Sequence, residues 1–216
     1  MATEKTRPTD NFHCFEGMGR PFWRSIAEGM KPSGISMGPM GASVDLIEEG
    51  DGNAVQNGGM YHPQETKMHP GVYFRFFGTI AHNRYGAKSS MAGGWWIDYE
   101  NAVAVRDWAV KFDLSLARAA QALLVIPPGW HDCGYVGRGR LLKTMKAWVG
   151  HGKPATGTLS PDNAQRRSAG VPVQVAPPAA PIKQYFMPGD RSLIASVFNF
   201  DQPTQVIAKT IFPAGL

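Results

Sequence analysis

The sequence predicts a single α+β domain of short strands and few helices. Three observations predict it. The 216 residues include 25 Gly and 17 Pro, close to a fifth of the chain, against about an eighth in average usage. That much punctuation excludes a long helical bundle or a coiled coil. Hydrophobic residues make up 43% and aromatic residues 11%, which excludes a disordered chain and supplies a core. The periodic segments follow one another in mixed order rather than as repeating βα units, which favours α+β over a doubly wound sheet.

Residues 1–30 read as a polar N-terminal segment that ends in a short helix, PFWRSIAEGM (21–30), with Pro21 in its first turn. Residues 31–216 read as one domain. From 31 to 70 the chain is rich in Gly, Met, Asn and His, and is expected to be loop, with only VDLI (44–47) extended or helical. GVYFRFFGTI (71–80) is the first clear strand, with Tyr73, Arg75 and Phe77 on one face and Val72, Phe74 and Phe76 on the other. HNRYGAKSSMAGG (82–94) reads as a polar loop and WWIDY (95–99) as a strand or helix entry.

In ENAVAVRDWAVKF (100–112), Ala102, Val105, Trp108, Ala109 and Phe112 recur at helical spacing. Asp113 is expected to cap a second helix, DLSLARAAQALLVI, with Leu116, Ala119, Ala120 and Leu123 on one stripe and Pro127, Pro128 and Gly129 as the stop. YVGRGRLLK (135–143) and MKAWVG (145–150) read as strands, and 150–181 as a Gly/Pro/Ala-rich surface loop. KQYFMPG (183–189), SLIASVFNF (192–200) and QVIAKTIF (205–212) read as strands.

Two cysteines, Cys14 and Cys133, exclude a disulfide framework. No run reaches the roughly 18 apolar residues of a membrane helix, so no membrane insertion is expected. The start, MATEKTRPTDNF, lacks the apolar stretch of a signal peptide. The expectation is a protein that is cytoplasmic in its producer, or that is exported by another route. The charge is asymmetric: residues 1–100 hold nine Lys/Arg against eleven Asp/Glu, residues 101–216 thirteen against six, and no Glu follows Glu100. A basic half suits nucleic acid, a phosphate-bearing ligand or an acidic partner.

Several chemistries are tested by motif. His131-Asp132-Cys133 and His13-Cys14 are the His/Cys neighbours, but neither has the spaced partners of a zinc site, so no metal is expected. Cys133 near His131 allows a thiol nucleophile, set against a half-buried structural cysteine. Phosphate-loop and hydrolase-elbow motifs are absent. Arg138, Arg140, Lys143 and Lys146 with Trp148 allow a non-enzymatic module that binds nucleic acid or an acidic partner.

The most informative pattern is spread along the chain. Arg75 stands mid-strand between aromatics, where a charge needs an anionic partner, either a protein carboxylate or a bound phosphate. Ser89-Ser90 and Gly93-Gly94-Trp95-Trp96 follow, and Gln184 later opens a second aromatic strand, QYFM.

In this order of parts the chain resembles the ADP-ribosyltransferase-like fold of NAD-consuming bacterial toxins. LLKTMKAWVGHGKPA (141–155), a Pro/Ala-rich stretch and IKQYFMPG (182–189) are similar to the matching parts of the tuberculosis necrotizing toxin type of NAD glycohydrolase. The resemblance spans roughly 71–200. It implies a split β core of two small sheets with a helical pair between the halves, in a catalytic domain over 31–216. It implies that Arg75 binds the NAD phosphates and takes part in catalysis. It also implies that Ser89 or Ser90 supplies the Ser segment, and that Gln184 stands where the catalytic carboxylate usually is. Trp95, Trp96 or Tyr185 would stack on nicotinamide or adenine. With no Glu in that half, Asp98 or Asp190 is left to supply charge, and a Gln site leans towards water as the acceptor. The partners implied are NAD as substrate, a protein or nucleic-acid acceptor, and an immunity or chaperone protein in the producing cell.

Overall fold

A computed structural model describes residues 10–38, 41–48, 56–159, 171–179 and 181–208. It is mixed, with five α-helices and strands that pair antiparallel throughout.

A single 3-10 turn at Phe12–Phe15 leads into α1 (Gly19–Ala27). β1 (Pro32–Gly38) and β2 (Gly41–Leu46) form a two-stranded arm. The remaining strands before the helical pair are β3 (Met60–Met68), β4 (Gly71–Phe77) and β5 (Trp95–Asp98), with α2 (Thr79–Met91) between the last two. α3 (Tyr99–Lys111) and α4 (Leu116–Leu123) follow. Then come β6 (Tyr135–Leu141), β7 (Met145–Gly152), the hairpin β8 (Ala155–Leu159) and β9 (Val171–Val175), and β10 (Lys183–Phe186). α5 (Arg191–Val197), β11 (Phe198–Phe200) and β12 (Thr204–Gln205) complete the described chain.

The main sheet runs β11-β6-β4-β5-β10-β7-β3, with β12 also on β6. Its joints are unequal. β4 and β6 share seven register pairs, whereas β4 and β5 share two, Tyr73 with Asp98 and Phe74 with Ile97. Beyond Phe74 and Ile97 the two strands pair no further. This fork positions the site described below.

One face of the sheet around β4 carries Phe74, Phe76, Ile97 and Val136 against α3 and α4. The other carries Trp96, Leu141 and Phe198 against Ile194 and Val197 of α5. The alternation expected for β4 explains this, since Phe74 and Phe76 share one core while Tyr73 packs in the other. The helical pair forms as its stripes predict: Ala102, Val105 and Ala109 are buried, as are Leu116, Ala119, Ala120 and Leu123. Asp98 caps α3 by accepting from Asn101 N at 2.9 Å, and Asp190 caps α5 by accepting from Leu193 N at 2.8 Å.

The structure departs from the sequence reading at several points. The main strands join in one eight-stranded sheet rather than the split core of two small sheets that the resemblance implies. The strand expected over 205–212 ends at Gln205, and 209–212 lie outside the described residues. Ser115, not Asp113, caps α4, accepting from Arg118 N at 3.2 Å. The expected loop over 31–70 holds three strands; β3 exists because β7 pairs along it, not because its own sequence alternates. The polar stretch 82–94 is mostly α2. That helix is broken at Gly86, whose φ of 76° suits glycine, and its first N–H is capped from afar by Asp132 Oδ1 at 2.8 Å. Residues 191–197 are helix rather than strand, because the Asp190 cap outweighs the β-branched composition. The stretch 150–181 is an extended hairpin, with the centre of that reading, 160–170, outside the described residues. In addition, residues 12–27 are not packed apart from the domain: Cys14, Phe15 and Ala27 share a cluster with Met60, Trp148 and Phe186.

Candidate functional site

The fork between β4 and β5 opens into a pocket of about 170 Å³. Its floor comes from Phe74, Arg75 and Phe76 of β4, and one wall from Trp95, Trp96 and Ile97 of β5. Gln184 of β10 enters from the neighbouring strand, and the connection between α4 and β6 closes over the top with Val125, Trp130 and His131. The strands hold the floor rigidly, while a loop forms the lid, the usual division of labour at a binding site.

Arg75 is held without a carboxylate. Its Nε donates to the Ser90 carbonyl at 3.2 Å and its Nη1 to the Trp95 carbonyl at 2.8 Å. Among the described residues no acidic side chain pairs with it. Burial and the nearby Arg191 charge push its pKa down to about 10, so it remains charged at neutral pH. Gly93 permits this placement: a Cβ there would overlap the guanidinium. Two peptide carbonyls offset part of the desolvation of a cation but leave its full charge in place.

Gln184 is 8% exposed. Its Nε2 donates to the Leu124 carbonyl at 3.2 Å. The donor end of the amide is therefore fixed, and Oε1 remains as an acceptor.

His131 stands beside Cys133 as the sequence expects, with its Nδ1 3.5 Å from the Cys133 Sγ, and it also lines the pocket. The Cys133 backbone N–H donates to His131 Nδ1 at 3.1 Å, which puts the ring proton on Nε2. Burial, with Arg75 nearby, pushes its pKa down to about 4. It is a neutral donor at physiological pH. The connection that carries it is strained at both ends: Val125 has φ 55° and Cys133 φ 51°. A β-branched residue at positive φ is a genuine outlier, and such strain gathers at functional sites.

The predicted site residues divide. Arg75, Trp95, Trp96 and Gln184 line the same pocket. Ser90 lies beside it and touches Arg75 through its carbonyl; its own hydroxyl is buried without a hydrogen-bond partner among the described residues. Ser89 lies outside, in a shallow depression with Tyr85 and Arg191. Tyr185 points to the other side of the sheet, where its hydroxyl donates to Asp98 Oδ2 at 3.0 Å and its ring packs edge-on to Tyr73. Burial and the Asp98 charge push its pKa up. Trp96 sends its ring to the same side, stacked 4.3 Å from Phe198, so Trp95 is the β5 aromatic with its ring on the pocket side. Asp98 and Asp190 serve as helix caps and do not line the pocket. Among the described residues no Asp or Glu lines it.

The alternative chemistries fare differently. Cys133 is fully buried in the core against α4 residues, and burial raises its pKa well above the usual thiol value, which leaves a thiol reading without access for substrate. Of the basic cluster, Arg138 pairs with Asp201, Lys143 with Asp10 and Lys146 with Glu65, and Trp148 is 2% exposed. Among the described residues no three His, Cys, Asp or Glu side chains gather where a metal ion could be held. No helix among them is long and apolar enough to cross a membrane.

Sequence reasoning missed Trp130 and His131 as pocket residues. The one available signal is the unusual run Trp-His-Asp-Cys, which by itself points only to a thiol nucleophile or a structural cysteine. No family model, curated protein or solved structure matches the chain.

Proposed function

We propose that the chain is an NAD-consuming enzyme of ADP-ribosyltransferase-like architecture that cleaves the nicotinamide–ribose bond, with water as the favoured acceptor. The observation that carries this reading is one pocket holding a charged arginine without a carboxylate, a fixed glutamine and an aromatic wall. A guanidinium with no protein anion is matched by phosphate oxygens. At about 170 Å³ the pocket is smaller than the roughly 300 Å³ at which most ligand pockets begin. It suits one ring and its ribose, with the remainder of a dinucleotide lying outside.

In this reading the nicotinamide ring lies against Trp95 and Trp130, and Gln184 Oε1 accepts from a ribose hydroxyl. As the C–N bond breaks, its electron pair passes to the ring nitrogen and nicotinamide leaves neutral. The ribose carbon becomes oxocarbenium-like, as in glycoside cleavage. Water adds to that carbon and releases a proton, giving ADP-ribose. His131, neutral and poorly basic, serves as a hydrogen-bond donor. Among the described residues no carboxylate lines the pocket to activate a macromolecular nucleophile, which is why hydrolysis is favoured over transfer to a protein or nucleic acid. A toxin or effector acting on a target cell's NAD, kept in check by an immunity or chaperone partner in the producer, is the biological setting that follows from the resemblance.

The test is incubation of folded protein with NAD while nicotinamide is followed. Release is the expected outcome. Silence both with and without cell lysate would overturn the reading.

A further inference from the structure

Arg75 is not alone. Arg191, the first residue of α5, donates from Nη1 to Ser89 Oγ at 3.3 Å, while Arg75 donates to the carbonyl of Ser90. Two guanidiniums from distant parts of the chain are thus hung on successive residues at the end of α2. They are close enough for the charge of Arg191 to make Arg75 harder to keep protonated. Neither has a carboxylate partner among the described residues. Like charges brought together repel, and the cost grows with burial. A fold that gains nothing from the pair would separate it or place an acid between.

The surroundings favour an anion. Arg191 lies over the Tyr85 ring at 5.7 Å, with Arg84 over the same ring at 5.2 Å. Tyr85, Lys88, Ser89 and Arg191 line an open depression of about 490 Å³, with no acidic residue among the described residues of its lining. Ser90, whose buried hydroxyl has no partner among the described residues, follows Ser89 of this depression and accepts from Arg75 through its carbonyl.

We infer that Arg75 and Arg191 form a two-point clamp for a diphosphate, one guanidinium for each phosphate, so that the molecule bound spans the ridge at Ser89-Ser90. The identity of the ligand rests on the NAD reading; its charge rests on the two arginines. One organic end of the diphosphate ester enters the Trp95 pocket. The other lies over the depression, with Tyr85, half exposed, as its platform. Arg191 is in this account a binding and positioning residue and does not touch the bond that breaks.

The experiment is calorimetric titration of the full chain with inorganic pyrophosphate and, separately, with inorganic phosphate. Wild type is expected to prefer pyrophosphate. Arg191→Gln should weaken pyrophosphate by about tenfold or more, the scale of a lost charge-assisted contact, and leave phosphate within about twofold. Arg191→Lys should recover part of the loss. Arg140→Gln, which removes an exposed charge on β6, is the control for net charge and should bind as wild type. The clamp is overturned if wild type does not prefer pyrophosphate, if Arg191→Gln binds it as wild type does, or if Arg140→Gln loses as much. The two readings separate cleanly. Arg191-dependent pyrophosphate binding without nicotinamide release sustains the clamp and sinks the NAD reading. Nicotinamide release with a KM for NAD unchanged in Arg191→Gln does the reverse.

Discussion

Two cationic regions of this molecule use the same residue types and reach opposite electrostatic states. On β6 and β7, and in the turn between them, Arg138, Lys143 and Lys146 each meet an acid, and Lys146 also lies 4.7 Å over the Phe15 ring. At the fork of β4 and β5, Arg75 meets two peptide carbonyls and lies within reach of the charge of Arg191. The first region is denser in charge along the sequence, yet it is largely neutralised. The second has a single arginine in an aromatic strand, yet among the described residues no carboxylate neutralises it. Density of Lys and Arg is therefore a poor guide to where positive charge stays unpaired. What matters is whether a carboxylate can reach.

The largest effect that could break this contrast is at Arg75. Arg75→Ala should lower nicotinamide release by about a thousandfold, the upper range for loss of a preorganised electrostatic contact. Arg75→Lys, which keeps the charge but loses the fork, should fall between. Initial rates at saturating NAD give the comparison, and an Arg75→Ala rate near wild type would remove the pocket from the chemistry. Gln184→Ala comes next, with an expected loss of about a hundredfold in kcat and a native thermal transition, since the Leu124 carbonyl it leaves lies at the pocket edge.

A smaller effect sharpens the electrostatics of the same pocket. The folded pKa of His131 lies near 4, below its ordinary 6.5, so below about pH 6.5 the unfolded chain binds a proton that the folded chain refuses. The stability associated with neutral His131 is complete above pH 6.5 and is lost as pH falls towards 4. Lowering the pH from 6.5 to 5 should cost about 2 kcal/mol from this group. Urea unfolding across that range should show the loss in wild type and a shallower one in His131→Asn. Identical slopes would mean that His131 is solvated rather than enclosed beside Arg75.

The smallest effects belong to the paired region. Arg138→Ala and Lys143→Ala should each change stability by less than about 1 kcal/mol, because these pairs are exposed, and leave nicotinamide release unchanged. A loss of turnover comparable with that of Arg75→Ala would erase the distinction between the two regions.

Much of the scaffold was legible locally. Apolar alternation placed β4, and helical spacing placed α3 and α4, because burial on one face leaves a periodic trace in the chain itself. α2 left little trace: it is polar, broken at Gly86, and capped by Asp132 from a different part of the chain. β3 draws its order from β7. Ser89 and Ser90 stand out in the sequence for their hydroxyls, whereas Ser90 meets Arg75 through its carbonyl. Trp130 and His131 reach the pocket only because the connection after α4 folds back over the fork. Such a return leaves no periodicity to read.

By itself the sequence determined that an arginine would sit in an apolar strand, that a glutamine would open another, and that no glutamate would be at hand after residue 100. Those are properties of residue type and order. Only the tertiary structure decided that Arg75 and Gln184 share a pocket, that Arg191 and Arg75 bond to successive serines, and that the more obvious basic cluster is mostly paired. The physical reason is range. Hydrophobic patterning acts over a few residues, whereas the state of a charge depends on the nearest opposite charge in space, which can be supplied from anywhere along the chain.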